Sequence, residues 1–230
     1  MPARAREPRR FSAHIIFFDN DGTVFDSARS GVLKAVQNGF REFAARRGLA
    51  HLPVPTIARI KELTGAPNTE FFPAVLPPEL RHLAPELRDT CLQHEVRAIR
   101  GRGEIYPGVL ELLAELRARG KKLVLITHAG VEYLTATAER FGYPTLFDRL
   151  YHVGLHGLAG KAEMMAHAVA ELAGDGAPLM AVGDKAADMA AGRAHGAACV
   201  FCAYGFGTDA DAEGADAVIQ APLELLELVG

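Results

Sequence analysis

Little in this chain points to a membrane, a polyanion or an oxidising compartment. Its 230 residues include three cysteines, too few for a disulfide framework, so a reducing cytosol is the expected setting. Cys199 and Cys202 form a C-x-x-C, but Ala198-Cys199-Val200-Phe201-Cys202 reads as a strand, on which positions three apart face opposite sides. No second C-x-x-C is present to complete a tetrahedral zinc site. No long apolar segment follows the arginine-rich start, because the run from His14 to Phe18 is short and meets Asp19. A formal net charge of −3 supplies no basic field for nucleic-acid binding. The nine histidines nowhere form H-E-x-x-H. G-x-x-x-x-G-K-[ST] and G-x-S-x-G are also absent, which disfavours a P-loop nucleotide site and a serine hydrolase. There is no internal repeat or low-complexity tract. Residues 1–10 carry four arginines and read as a basic, flexible tail.

What is present suits a packed domain. Apolar residues make up 49% and charged residues 23% of the chain, enough to bury a substantial core. The length favours one core with an inserted module. Ile15-Ile16-Phe17-Phe18 reads as the interior strand of a parallel sheet. It stops on Asp19-Asn20-Asp21-Gly22-Thr23, which places two carboxylates at a strand's carboxyl end, where ligands of open α/β sheets sit. Such a pair repels itself unless a cation lies among the acids or one holds a proton. Gly22 permits close backbone approach and Thr23 offers a hydroxyl. The same residue types also form ordinary Asx turns.

Between this strand and the next strong one, Lys122 to Thr127, everything reads helical. Val32, Val36, Phe40 and Phe43 recur at helical spacing, and Gly48 follows. Ile57, Ile60 and Leu63 mark a second helix ending at Thr64-Gly65. A third starts near Asn68-Thr69, and a fourth runs from Pro78 to Ile99. This helical module is assigned to 28–103, with hinges at Ser27–Ser30 and Gly101–Gly103. From Tyr106 onward strands and helices alternate, as parallel βαβ units require. The helices run from Pro107 to Arg119, Val131 to Phe141, Lys161 to Leu172, Ala187 to His195 and Leu223 to Leu228. The later strands are Leu150 to Val153, Leu179 to Val182, Ala198 to Cys202 and Ala217 to Ile219.

Polar groups then gather where parallel strands would converge. Asp19 and Asp21 end the first strand, Thr127 ends the second, Lys161 opens a helix, and Asp184 ends a strand with Asp188 one helical turn on. Acids are also favoured at helix N-termini by the macrodipole alone. A hard divalent cation such as Mg²⁺ takes oxygen ligands. An acidic cluster with one lysine and one hydroxyl is what phosphoryl transfer needs. The remaining candidate nucleophile is a carboxylate.

These residues resemble the haloacid dehalogenase superfamily, and within it the phosphoglycolate phosphatase-like branch with a helical cap. Asp19-Asn20-Asp21-Gly22-Thr23 matches its D-x-D-G-T motif, Thr127 its second-motif hydroxyl, Lys161 its lysine, and Gly183-Asp184 with Asp188 its G-D-x-x-x-D. The resemblance implies an α/β fold with a Rossmann-like parallel sheet core over 11–27 and 104–230, capped by the inserted helices. It implies a Mg²⁺-dependent phosphatase of a small phosphorylated metabolite, in which Asp19 is the nucleophile and Asp21 the acid and base. Lys161 and Thr127 hold the phosphoryl group, and the metal ligands are Asp19, the Asp21 carbonyl, Asp184 and Asp188. Asp21 argues for phosphate rather than carbon–halogen chemistry. His128 stands where the family has Asn, and Ala162 where Pro commonly follows the lysine; Lys122 and Lys185 compete for the lysine role. Thr64 to Asn68 resembles the cap loop that meets substrate, or is a plain turn. Arg46, Arg47, Arg97 and Arg100 are candidate carboxylate binders or a solvated helix face. Expected partners are a small phosphorylated metabolite, with no nucleic acid and no membrane, in a monomer or homodimer. A phosphomutase of the same family and a non-catalytic, receiver-like phosphoryl acceptor stand as alternatives.

Overall fold

The structure, a computed structural model, describes residues 10–172 and 176–230. Of the tail expected over 1–10, only Arg10 lies among the described residues. The first strand, β1 (Ile15–Phe18), is four buried apolar residues. Then come α1 (Val32–Arg46), α2 (Ile57–Leu63), α3 (Asn68–Ala74) and α4 (Ala84–Arg102). The chain continues through α5 (Val109–Ala118), β2 (Lys122–Thr127), α6 (Val131–Phe141), α7 (Tyr143–Leu146), β3 (Arg149–His152), α8 (Lys161–Leu172) and β4 (Leu179–Gly183). It ends with α9 (Ala186–Ala194), β5 (Ala198–Cys202), β6 (Ala217–Ile219) and α10 (Leu225–Leu228).

The described strands form one six-stranded parallel sheet in the order β3-β2-β1-β4-β5-β6. β1 lies in the interior because only there can a four-residue apolar run bury both faces. Its side chains alternate accordingly. Ile16 and Phe18 pack with Leu112 and Leu113 of α5 and Leu134 of α6, while Ile15 and Phe17 pack with Met164 and Met165 of α8. Each fully buried side chain of this kind contributes about 1.5–3 kcal/mol, so the strand that carries Asp19 is held from both faces. The cysteine pair obeys the same alternation. Cys199 joins the cluster of Met189 and Phe201, Cys202 joins that of Val200 and Ile219, and both are buried free thiols.

The helices between β1 and α5 have a core of their own, built on Phe40, Phe43, Ile60, Phe72 and Leu87. Gly39 lets α1 and α4 approach closely, since a Cβ there would lie 2.5 Å from the Cys91 Cα. The expected single helix from Pro78 is instead a 3-10 turn over Pro78–Leu83 followed by α4. Pro85, which lacks an N–H, suits the first turn of an α-helix and marks the restart. α5 likewise starts two residues later than expected, because Gly108 adopts φ 85° just before it. The two chain passages joining helices to sheet run side by side. Phe25 pairs antiparallel with Ile105, and the Asp26 N–H donates to the Glu104 carbonyl at 3.1 Å. The Ser30 hydroxyl donates to the Asp26 carbonyl at 2.7 Å and accepts the Glu104 N–H at 2.8 Å. No described helix is long and apolar enough to cross a membrane.

Candidate active site

Sheet register brings the sequence-predicted residues to one place. Phe18 pairs with Leu125 of β2 and Val182 of β4, so the residues just beyond, Asp19, Thr127 and Asp184, emerge together at the carboxyl edge. Asp19 is anchored by its own N–H, which donates to the Val182 carbonyl at 3.0 Å. Lys161, at the start of α8, reaches in from the next crossover. Its Nζ lies 2.7 Å from Asp19 Oδ1 and 2.6 Å from Asp188 Oδ1, and all three residues are at most 3% exposed. The other Asp188 oxygen accepts the Lys185 N–H at 3.0 Å and so caps α9.

Asp184 is fully buried, accepting the Phe206 N–H at 2.7 Å and the Thr23 hydroxyl at 3.4 Å. Glycine is required around it. Gly22 holds φ +89°, and a Cβ there would meet the Asp184 carboxylate at 2.3 Å; a Cβ at Gly205 would meet the same carboxylate at 2.6 Å. The Gly22 turn was visible in the sequence. The loop of Gly205 and Phe206 was not singled out, although a glycine on each side of an aromatic just beyond a strand is the signal that marks it.

Four carboxyl groups, Asp19, Asp21, Asp184 and Asp188, thus surround or adjoin one ammonium. Burial raises the pKa of Asp19 against the pull of Lys161. Burial, with the charges of Asp19 and Asp188, pushes Asp184 up to about 8. Asp188 is pushed by burial up to about 6 in spite of Lys161. Burial works to discharge Lys161, but the carboxylates of Asp188 and Asp19 outweigh it and hold the ammonium charged. Fully ionised, the four acids would exceed the one ammonium in charge, an excess that at pH 7 is relieved in part by a proton on Asp184.

That excess is matched by an unfilled acceptor. Asp19 Oδ2 is buried and has no hydrogen-bond partner among the described residues. One carboxylate oxygen each from Asp19, Asp184 and Asp188 lies within 4.8 Å of the others. An all-oxygen, net-negative, buried donor set with an orphaned oxygen fits a hard divalent cation of the Mg²⁺ type.

Asp21 sits apart from this cluster and is held differently. The Tyr133 hydroxyl donates to its Oδ1 at 2.5 Å and Asn20 Nδ2 to its Oδ2 at 3.0 Å. Burial raises its pKa, while the Tyr133 hydrogen bond opposes the rise. Tyr143 in turn donates to Asn20 Oδ1 at 3.0 Å, fixing the amide. Sequence reasoning gave no role to Asn20, which stands at the variable position of its motif, or to Tyr133 and Tyr143, because an aromatic on a helix reads as core.

A cavity of about 80 Å³ lies over Asp19, lined also by Asp21, Thr127, His128 and Tyr133, and by the inserted helices. Thr127 is buried and accepts the Ala129 N–H at 3.1 Å. His128 Nδ1 donates to the Gly65 carbonyl at 2.8 Å, tying the loop after β2 to the α2–α3 loop; Thr64, Gly65, Ala66 and Asn68 of that segment line the cavity. Burial, then Lys161, lowers the His128 pKa, so the ring is neutral at pH 7. Lys122 lies at the start of β2, away from the site, paired to Asp148 at 3.3 Å. Lys185 lines a neighbouring surface cleft with Gly65 and Phe206. Arg46, Arg47, Arg97 and Arg100 do not line the cavity; Arg47 pairs with Glu86, and Arg100 with Glu139.

The sequence profile of haloacid dehalogenase-like hydrolases matches residues 13–196. The chain belongs to that family. Within it, the chain is 31% identical over 225 residues to a phosphoglycolate phosphatase of Chromobacterium violaceum, covering 93% of this chain and 95% of the relative. It is 27% identical over 208 residues to the tyrosine-protein kinase PtkA of Mycobacterium tuberculosis, with 89% of this chain aligned. The match spans only 66% of that relative's length. A haloacid dehalogenase-like family protein from Streptococcus pneumoniae superposes with a TM-score of 0.75 at 25% identity, covering 93% of this chain and 97% of the other.

Proposed function

We propose that this haloacid dehalogenase-like hydrolase is a Mg²⁺-dependent phosphatase of a small phosphomonoester, working through an aspartyl-phosphate at Asp19. The observation that carries the reading is the division of labour on the Asp19 carboxylate. One oxygen is held by the Lys161 ammonium at 2.7 Å, while the other is buried without a partner beside the cavity. A desolvated carboxylate oriented in this way is a nucleophile prepared for a phosphorus atom.

In this reading Asp19 forms a bond to phosphorus as the ester oxygen leaves, and Asp21 gives that oxygen its proton. Asp21 then takes a proton from the water that cleaves the acyl phosphate. Tyr133 and Asn20 aim the Asp21 carboxyl, since both of its oxygens are engaged by them. Lys161 offsets the negative charge of the phosphoryl oxygens, and Asp188 keeps the ammonium charged and in place. Thr127 stands in the cavity wall as a further donor. Asp19, the Asp21 carbonyl and Asp184 would hold the ion, with Asp188 beside them; when bound, Mg²⁺ supplies charge neutralisation to the phosphate. Residues 28–103 serve as the cap that excludes water from the cavity. The name of the 31% identical relative makes 2-phosphoglycolate the first ester to assay.

The test is Mg²⁺-dependent release of phosphate from an aryl phosphate by the wild type and by Asp19→Asn. Wild-type turnover that Asp19→Asn abolishes in a folded protein is the expected result. Undiminished turnover in that variant would remove Asp19 from the nucleophile's role. Free phosphate as the product, rather than phosphate returned to a hexose phosphate, separates hydrolysis from a mutase reaction.

A further inference from the structure

The wall of the cavity facing the nucleophile is chemically one-sided. It is apolar where Val36, Ile60, Phe71 and Phe72 line it, and its acid beyond the Asp19 and Asp21 pair is Glu95 of α4. Glu95 makes no hydrogen bond or ion pair with any described residue, and burial, with the charge of Asp21, pushes its pKa up to about 8. No lysine or arginine among the described residues lines this cavity. Its histidine, His128, is neutral and committed to Gly65. A second cavity of about 150 Å³ shares Asn68, Phe72 and Glu95 with the first. It adds two further acids, Asp89 and Glu132, and one base, Arg88, whose guanidinium already lies 2.7 Å from Asp89. The route leading away from Asp19 is thus apolar in body and acidic in excess.

A carboxyl group set in apolar surroundings without a partner is costly unless a ligand supplies one. An ammonium favours the ionised form of Glu95 and gains a charge-assisted hydrogen bond to it, whereas a substrate carboxylate meets no cationic side chain among the described lining residues. We propose that Glu95 is a specificity residue that receives a cationic group on the alcohol part of the substrate, so that the preferred ester is the phosphate of an amino alcohol with an apolar body. This rests on the phosphatase reading and narrows it, because the carboxylate of a phosphoglycolate-like ester has no counterpart in the cavity.

The experiment compares ω-amino, ω-hydroxy and ω-carboxy alkyl phosphates of matched chain length, with Mg²⁺, on the wild type and on Glu95→Gln. Expected is a kcat/KM for the best amino ester on the order of 10–100-fold above its carboxy counterpart, the range for one charged hydrogen bond. Glu95→Gln should shrink that ratio about tenfold, with the change carried by KM. A preference for the carboxy ester, equal turnover of amino and hydroxy esters, or a ratio unaltered in Glu95→Gln would each overturn the assignment while leaving the phosphatase intact. If Glu95→Gln does not fold, the wild-type ranking of the three esters decides alone. Failure of the wild type to hydrolyse any ester, aryl phosphate included, would instead bring down the phosphatase reading itself.

Discussion

Adding Mg²⁺ to the metal-free protein at two pH values probes the acidic cluster without any substrate. In the folded chain Asp184 is pushed up to about 8 and Asp188 up to about 6, against about 3.9 for an unperturbed aspartate. Between those values the native state keeps protons that the unfolded chain has already released. Stability of the metal-free protein therefore falls as pH rises through the window from about 4 to about 8. At about 1.4 kcal/mol per pH unit for each proton, the loss between pH 5 and pH 8 is on the order of 3 kcal/mol or more. A bound divalent cation favours the ionised carboxylates and so acts most strongly where the metal-free protein is weakest. At a hundredfold excess over its Kd it contributes about 2.7 kcal/mol. For a chain of this length that raises Tm by roughly 5–10 °C. At pH 5 protons compete for the same oxygens, and the rise should shrink to about 2 °C or less. Differential scanning fluorimetry with EDTA or Mg²⁺ at pH 5 and pH 8 reads all four conditions. Asp184→Asn should abolish the Mg²⁺ effect at pH 8. An equal rise at both pH values, or no rise at pH 8, would refute the argument that these buried acids are poised for a cation.

Tyr133→Phe removes a hydrogen bond that stabilises ionised Asp21. Its pKa should therefore rise, carrying the pH–rate profile upward by about 1–2 units, the worth of a hydrogen bond to a charged group; an unmoved profile would show that Tyr133 only packs. Gly22→Ala forces a Cβ to within 2.3 Å of the Asp184 carboxylate at φ +89°. A loss of about 1–3 kcal/mol in urea denaturation is expected, together with loss of Mg²⁺-induced stabilisation as Asp184 is displaced.

Most of the scaffold was legible because its signals are local. The four apolar residues of β1 announce an interior strand by themselves, and Val32, Val36, Phe40 and Phe43 announce α1 by spacing. Boundaries failed where a single backbone group decided them, as at Pro85 and Gly108. Asp19, Asp184 and Lys161 were legible as strand-end and helix-start groups. Asn20, Tyr133 and Tyr143 were not, because the Tyr133–Asp21 hydrogen bond spans 112 positions and the Tyr143–Asn20 bond 123. Nothing in the short-range pattern around either tyrosine encodes those contacts.

The amino-acid sequence alone determined that acids would lie at the carboxyl ends of apolar strands, since hydrophobic period and chain order dictate where a parallel sheet presents its polar tips. Only the tertiary structure decided that one Asp19 oxygen is held by Lys161 while the other is left without a partner, and that Glu95 faces the same cavity from α4. Those facts depend on burial and on contacts between segments far apart in the chain, and desolvation is a property of the packed molecule that no stretch of residues carries by itself.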